Sequence, residues 1–173
     1  MPSTMTPFQR AMALAAITGL KLSLGPAFLM TSRKRQGARG VALAAMGELV
    51  LDKAGFLPSR YNPALLIPRT LAGAWVAHES LKEDGVEDPL AAPMGAVIAA
   101  GFASVAPMAR IALSRGLGIP DLVLGVAEDY LALRLGSEAT GMSMEEIAGV
   151  AKESFEEAKE QVKPALASIG VEA

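Results

Sequence analysis

Residues Leu90 to Ala109 read LAAPMGAVIAAGFASVAPMA, twenty positions without an acid or a base. As a helix rising about 1.5 Å per residue, this stretch is about 30 Å long, the thickness of a bilayer's hydrocarbon core. Helices on the surface of soluble proteins carry a polar face at a 3.6-residue period. The segment from Met94 to Ala106 carries none. Lipid is one environment that suits such a helix. The core of a soluble bundle is another, and the 20% of charged residues in the chain keeps that alternative open. Small residues recur along the stretch at four-residue spacing, with Gly95, Ala99 and Ala103 on one ridge and Ala96, Ala100 and Ser104 on the next. Such ridges let helix backbones pack closely in lipid, although an Ala-rich helix shows the same pattern without a dedicated seam.

Working outward, the apolar run that holds this stretch covers 90–114, and four others lie at 11–31, 39–56, 63–80 and 118–136, divided by Gly, Pro or charge clusters. Read as helices, they predict an all-α fold, a polytopic membrane helix bundle of about five short transmembrane helices. Beyond Gly141 the character changes. Ser143 and Glu146 stand at capping-box spacing before a Glu- and Lys-rich amphipathic helix that runs to about Ile169. The expected organisation is therefore a transmembrane bundle over 1–138 and an amphipathic helical tail over 139–173. At the other end, Thr6-Pro7 reads as a helix start. No small-residue cleavage site follows the first apolar run, which is expected to be retained.

Composition removes several kinds of chemistry. Half the residues are apolar (51%), only 5% are aromatic, and the mean hydropathy is +0.35. The net charge of −2 and the lack of a basic stripe with interleaved aromatics argue against nucleic-acid binding. With no cysteine and one histidine, His78, neither a thiolate nor an imidazole metal site can be assembled, and no Ser-His-Asp set is in view. The expectation is a protein with no metal and no cofactor that is not an enzyme. Its partners would be the lipid bilayer and either further copies of itself or the other subunits of a membrane assembly.

Arg33, Lys34, Arg35 and Arg39 crowd the first connection, and Lys152, Lys159 and Lys163 lie in the tail. With five crossings both would fall on one side, which the positive-inside rule makes cytoplasmic, and the N-terminus would lie outside. The third connection, Glu79 to Asp88, would share that side. An internal repeat is also suggested. Pro26 precedes Glu48 by 22 residues and Pro107 precedes Glu128 by 21, as though two inverted helical hairpins flanked a central helix over 63–80, an arrangement that transporters use to build a site at mid-membrane. Chance likeness between Ala/Leu-rich helices is the alternative.

The apolar runs contain Glu48, Asp52, Lys53, Arg69, Arg110, Asp121, Glu128 and Asp129, with Arg60 in the second connection, five acids against four bases. Glu48 and Asp52 are four apart and Asp121 and Glu128 seven apart, so each pair shares a helix face. Ionised groups in hydrocarbon cost several kcal/mol, so these charges are expected to pair inside the bundle. There they could bind an ion, relay protons, or only lock helices together. Pro26 and Pro107 each remove a backbone bond and mark candidate helix breaks. Tyr130, beside Glu128 and Asp129, is a candidate to reach the charged cluster.

The ordered series Glu48, Asp52-Lys53, Pro58-Ser59-Arg60, Arg69, Pro120-Asp121 and Glu128-Asp129 resembles the bacterial membrane family named domain of unknown function 4126, over roughly residues 10–136. The chain departs from that pattern at Gly19-Leu20-Lys21, where the family tends to show arginine, and at Ala54 to Leu57, which intervene before proline. The resemblance implies a small integral protein of the bacterial cytoplasmic membrane and lends no settled activity. Two functional expectations follow. One is a transporter- or channel-like protein with a buried charged site between the hairpins. The other is an accessory or scaffold subunit of a larger membrane complex.

Overall fold

The computed structural model describes residues 5–53 and 63–168, which form seven helices and no strand. The helices are α1 (Pro7–Leu20), α2 (Leu24–Ser32), α3 (Ala38–Lys53), α4 (Pro63–Glu83), α5 (Ala91–Leu117), α6 (Asp121–Thr140) and α7 (Met144–Ser168). The fold is all-α. One of them, α5, is long and apolar enough to cross a membrane. The expectation of about five such spans is not supported helix by helix, because α1, α2 and α3 are short and α4 and α6 carry charges within their apolar runs.

The first apolar run, 11–31, is not one helix. α1 opens at Thr6, whose hydroxyl accepts from the Gln9 N–H (3.2 Å) while its own N–H donates to Gln9 Oε1 (3.0 Å), with Pro7 in the first turn. It stops at Lys21, which turns extended (φ −137°, ψ 114°), and α2 begins three residues later. The two helices then fold back on each other. A methyl group at Gly25 would overlap the Thr18 hydroxyl and the Leu14 carbonyl, whereas in a straight helix residues 14 and 25 would stand about 16 Å apart along the axis. Arg10 near the start of α1 and Arg33 just after α2 also both bind Asp84. The run therefore enters the bundle, turns at 21–23 and leaves by the same end. Residue 10 and the first connection share that end, whereas a single straight helix over 11–31 would have put them at opposite ends of the bundle.

The proline assignments change with it. The break lies ahead of Pro26, which sits in the first turn of α2, where a missing N–H costs nothing. α5 continues through Pro107, and α4 through Pro68, so Pro107 is not a helix break.

α1 is the enclosed helix of the bundle, packed by α2, α4, α5 and α6, with Leu14, Ala15, Ile17 and Thr18 fully buried. It is this helix, not the 63–80 segment, that occupies the middle. α5 meets α1 and α4 along Ala91, Gly95, Ala99, Ala103 and Pro107, its buried residues. The first of the two small-residue ridges is thus the seam, while Ser104 on the other is exposed. The approach is close enough that a side chain at Gly73 would strike the Ala99 methyl and the Gly95 carbonyl, and one at Gly19 the Ala99 carbonyl. α5 runs parallel to α1, and the Pro26 segment is folded back where the Pro107 segment is part of one continuous helix. The two proposed hairpins therefore do not share a conformation.

α6 runs back past the 21–23 turn, and Gly136 leaves room for the Phe28 ring. The expected capping box starts α7: the Ser143 N–H donates to Glu146 Oε2 (2.6 Å) and the Glu146 N–H to Ser143 Oγ (3.1 Å). α7 packs on α3, burying Ser154, while Arg39 pairs with Glu157 (2.9 Å) and Glu153 (3.8 Å).

Candidate functional site

The turn between α1 and α2 gathers charged side chains from three other helices. Glu48 of α3 accepts from the Leu22 N–H with one carboxylate oxygen and from the Ser23 N–H with the other, both at 2.9 Å. These donors stand at the open N-terminus of α2, where the helix dipole favours a negative charge. Glu48 thus caps a helix from a distance of 25 residues. Arg69 of α4, itself buried, approaches the same carboxylate at 3.6 Å. On the other side of the turn, Lys21 reaches Asp129 of α6 at 3.0 Å, and both side chains are enclosed, 2% and 7% exposed.

Helix geometry sets the second group. Glu128 and Asp129 are successive residues and so point about 100° apart. Asp129 meets Lys21, and Glu128 turns to Arg110 of α5 at 3.8 Å. Arg110 also grips Asp121 in a fork, Nε to Oδ1 at 2.6 Å and a terminal nitrogen to Oδ2 at 2.7 Å. A side chain at Gly125 would meet the guanidinium, so glycine there lets the arginine lie along α6. Asp121 and Glu128 share one face, as their spacing predicts, and the base between them is Arg110.

Of the sequence-derived residues, Glu48, Arg69, Arg110, Glu128 and Asp129 are drawn into these pairs. Asp121 is paired as well, but its carboxylate is largely exposed at the start of α6 and does not lie at the centre of the bundle. Arg60 and the side chains of Asp52 and Lys53 lie outside the described residues. Tyr130 is exposed and turned outward, so it does not enter the cluster. Sequence reasoning missed Lys21, the largest fully buried side chain. Its signal was present: it is the single charge within the apolar run from Ala11 to Thr31, and such a charge must find a partner. Among the described residues, no group of three His, Asp or Glu converges as a metal site would require.

A second ionic cluster closes the end of the bundle where α1 starts. Arg10 donates to both oxygens of Asp84 (2.8 and 3.0 Å), which Arg33 also binds, and Arg33 lies 3.2 Å from Glu83. Arg35 donates to Glu79 and to Glu83, each at 2.6 Å, and lies 5.9 Å over the Trp75 ring. The hydrogen bond to Glu79 makes Arg35 hold its proton more firmly than usual, against the opposing effect of partial desolvation. The acidic Glu79 to Asp88 connection is thus the partner of the basic first connection.

No family model, curated protein or solved structure matches this chain. The likeness to the family named above rests on the quoted residues alone.

Proposed function

We propose that the chain is an integral membrane protein of transporter- or channel-like type, with its polar site at the turn of the α1–α2 hairpin. One observation carries this reading: α4, α5 and α6 expose large apolar side chains while several charged side chains are buried among the helices. Val97, Leu71 and Leu131 are 72%, 65% and 63% exposed, whereas Lys21, Asp129 and Arg69 are 1%, 5% and 8% exposed. Water would favour the reverse, because exposed apolar area costs about 25 cal/mol per Å². Ile67, Leu71 and Trp75 on α4, Val97, Val105 and Met108 on α5, and Val126, Tyr130 and Leu131 on α6 form outward faces that lipid would cover.

Under this reading α3, α4, α5 and α6 cross and α1–α2 is re-entrant. α3, at 16 residues, is the shortest of the four, about 24 Å. α3, α4 and α6 are less apolar than α5 because each brings charges that pair inside, a pattern that single-helix hydropathy penalises. Broken helices whose ends face a buried charged group are a recurrent device in transporters. By the positive-inside rule the end with Arg10, Arg33, Lys34, Arg35 and Arg39 is cytoplasmic, and with four crossings the N-terminus, the first connection and α7 all lie there. Proton and small-ion flux into liposomes reconstituted with the purified protein is the test. Glu48→Ala and Asp129→Asn are expected to abolish the flux. Unchanged flux in folded variants would remove the transport reading. The accessory-subunit alternative has less behind it, since α7 docks on its own bundle.

A further inference from the structure

Between α2, α3, the end of α6 and the start of α7 lies an apolar cavity of about 240 Å³, walled by Phe28, Met46, Leu49, Met142, Ile147 and Ala151 among others. The space is open on one side; for scale, an enclosed engineered cavity of about 150 Å³ takes up a benzene ring. This one has room for a single hydrocarbon chain. Its wall is shared, at Thr31 and Val150, with a polar recess lined by Lys34, Arg35 and Arg39 together with Glu153 and Glu157. Apolar space for one chain therefore opens onto a basic ledge.

The ledge offers two cations to an anion. Lys34 is exposed just past the end of α2, in the left-handed position of that helix's C-terminal cap, where the Arg35 N–H donates to the Met30 carbonyl (2.9 Å) and the Lys34 N–H to the Thr31 carbonyl (3.0 Å), so its ammonium is presented at the mouth of the recess. Among the described residues, Arg39 is engaged by surface partners, itself 63% exposed with Glu153 and Glu157 at 68% and 43%. Pairs of this kind are weak and exchange readily. An incoming carboxylate can take their place on Arg39, whereas Arg35 is already committed to Glu79 and Glu83.

We infer that this cavity binds a single-chain anionic amphiphile of the long-chain fatty acid type, its tail among Phe28, Leu49 and Ile147 and its carboxylate at Lys34 and Arg39. The site does not depend on the transport reading and would exist whether or not the α1–α2 turn conducts anything.

The test uses the full chain in nanodiscs of zwitterionic lipid, with a long-chain fatty acid carrying a diazirine at mid-chain and the corresponding fatty alcohol as uncharged control. After photolysis, the expected labels fall on α3 and α7 residues of the cavity, at least fivefold more with the acid than with the alcohol. Lys34→Gly with Arg39→Gln should cancel that preference. Glycine suits the left-handed position, so the fold survives, and flux through the α1–α2 site is read in parallel. Ala151→Phe should block labelling by filling the space. Equal labelling by acid and alcohol, or labels confined to the outward faces of α4 and α5, would overturn the inference. So would acid preference that persists in the Lys34/Arg39 variant.

Discussion

Lys21 and Asp129 show how strongly single residues are constrained here. Each is nearly inaccessible, and each neutralises the other at 3.0 Å. Removing one member of a buried pair leaves an uncompensated charge, at a cost of about 3–5 kcal/mol, while replacing both with apolar residues is often close to neutral. Lys21→Met and Asp129→Leu alone are therefore expected to lower the unfolding midpoint in detergent sharply, and the double variant to recover most of the loss, which a double-mutant cycle reads directly. Gly95 is constrained by space instead. Gly95→Leu would drive a side chain into Ala77 and the Gly73 carbonyl, and thermal unfolding should register a loss of at least about 1–3 kcal/mol. Such roles were partly legible in the sequence. The Gly95, Ala99 and Ala103 ridge and the shared face of Asp121 and Glu128 follow from spacing within one helix. Lys21 was visible as the lone charge of its apolar run, but its pairing was not, because Asp129 is 108 residues away in sequence and nothing local points to it.

Among the elements, α1 and α2 depart furthest from the sequence expectation. The hydropathy of 11–31 is that of one span, and the break at 21–23 contains neither Gly nor Pro. What stabilises the break is remote: the Glu48 carboxylate on the N–H groups of Leu22 and Ser23, a hydrogen-bond pattern that no local periodicity reveals. Glu48→Ala would leave those two donors unsatisfied, and faster hydrogen exchange at both amides is the expected consequence. α7 was legible, because its cap is local. There the Glu146 carboxyl lies below its ordinary value near 4.5, held by the Ser143 N–H first and the Ser143 hydroxyl second. A depressed folded-state value means that the contribution is fully present above the unfolded value and is lost as pH falls through the folded one. The first turn of α7 should thus fray only below about pH 4.5, seen as faster amide exchange at Ser143 to Ile147 relative to the rest of the helix. Exchange there that does not change with acidification would contradict the capping role.

Across the bundle, large apolar side chains both fill the core, as Leu14, Ile17 and Phe28 do, and stand exposed on α4, α5 and α6, while Lys21, Arg69 and Asp129 are buried. Composition pointed toward lipid, and the length and blandness of α5 carried that expectation. Under the proposed membrane reading, the number of crossings and the side of the N-terminus depend on whether the first apolar run passes through the bundle or turns back, which nothing local in its sequence decides. That question can be settled cleanly because the chain has no cysteine, so single cysteines report only where they are placed. The decisive measurement is labelling of Phe8→Cys, Gln36→Cys and Gly116→Cys with a membrane-impermeant maleimide, in sealed vesicles of both orientations. The account predicts that positions 8 and 36 react from the same side and position 116 from the other. Reaction of 8 and 36 from opposite sides, or of all three from both sides, would contradict it.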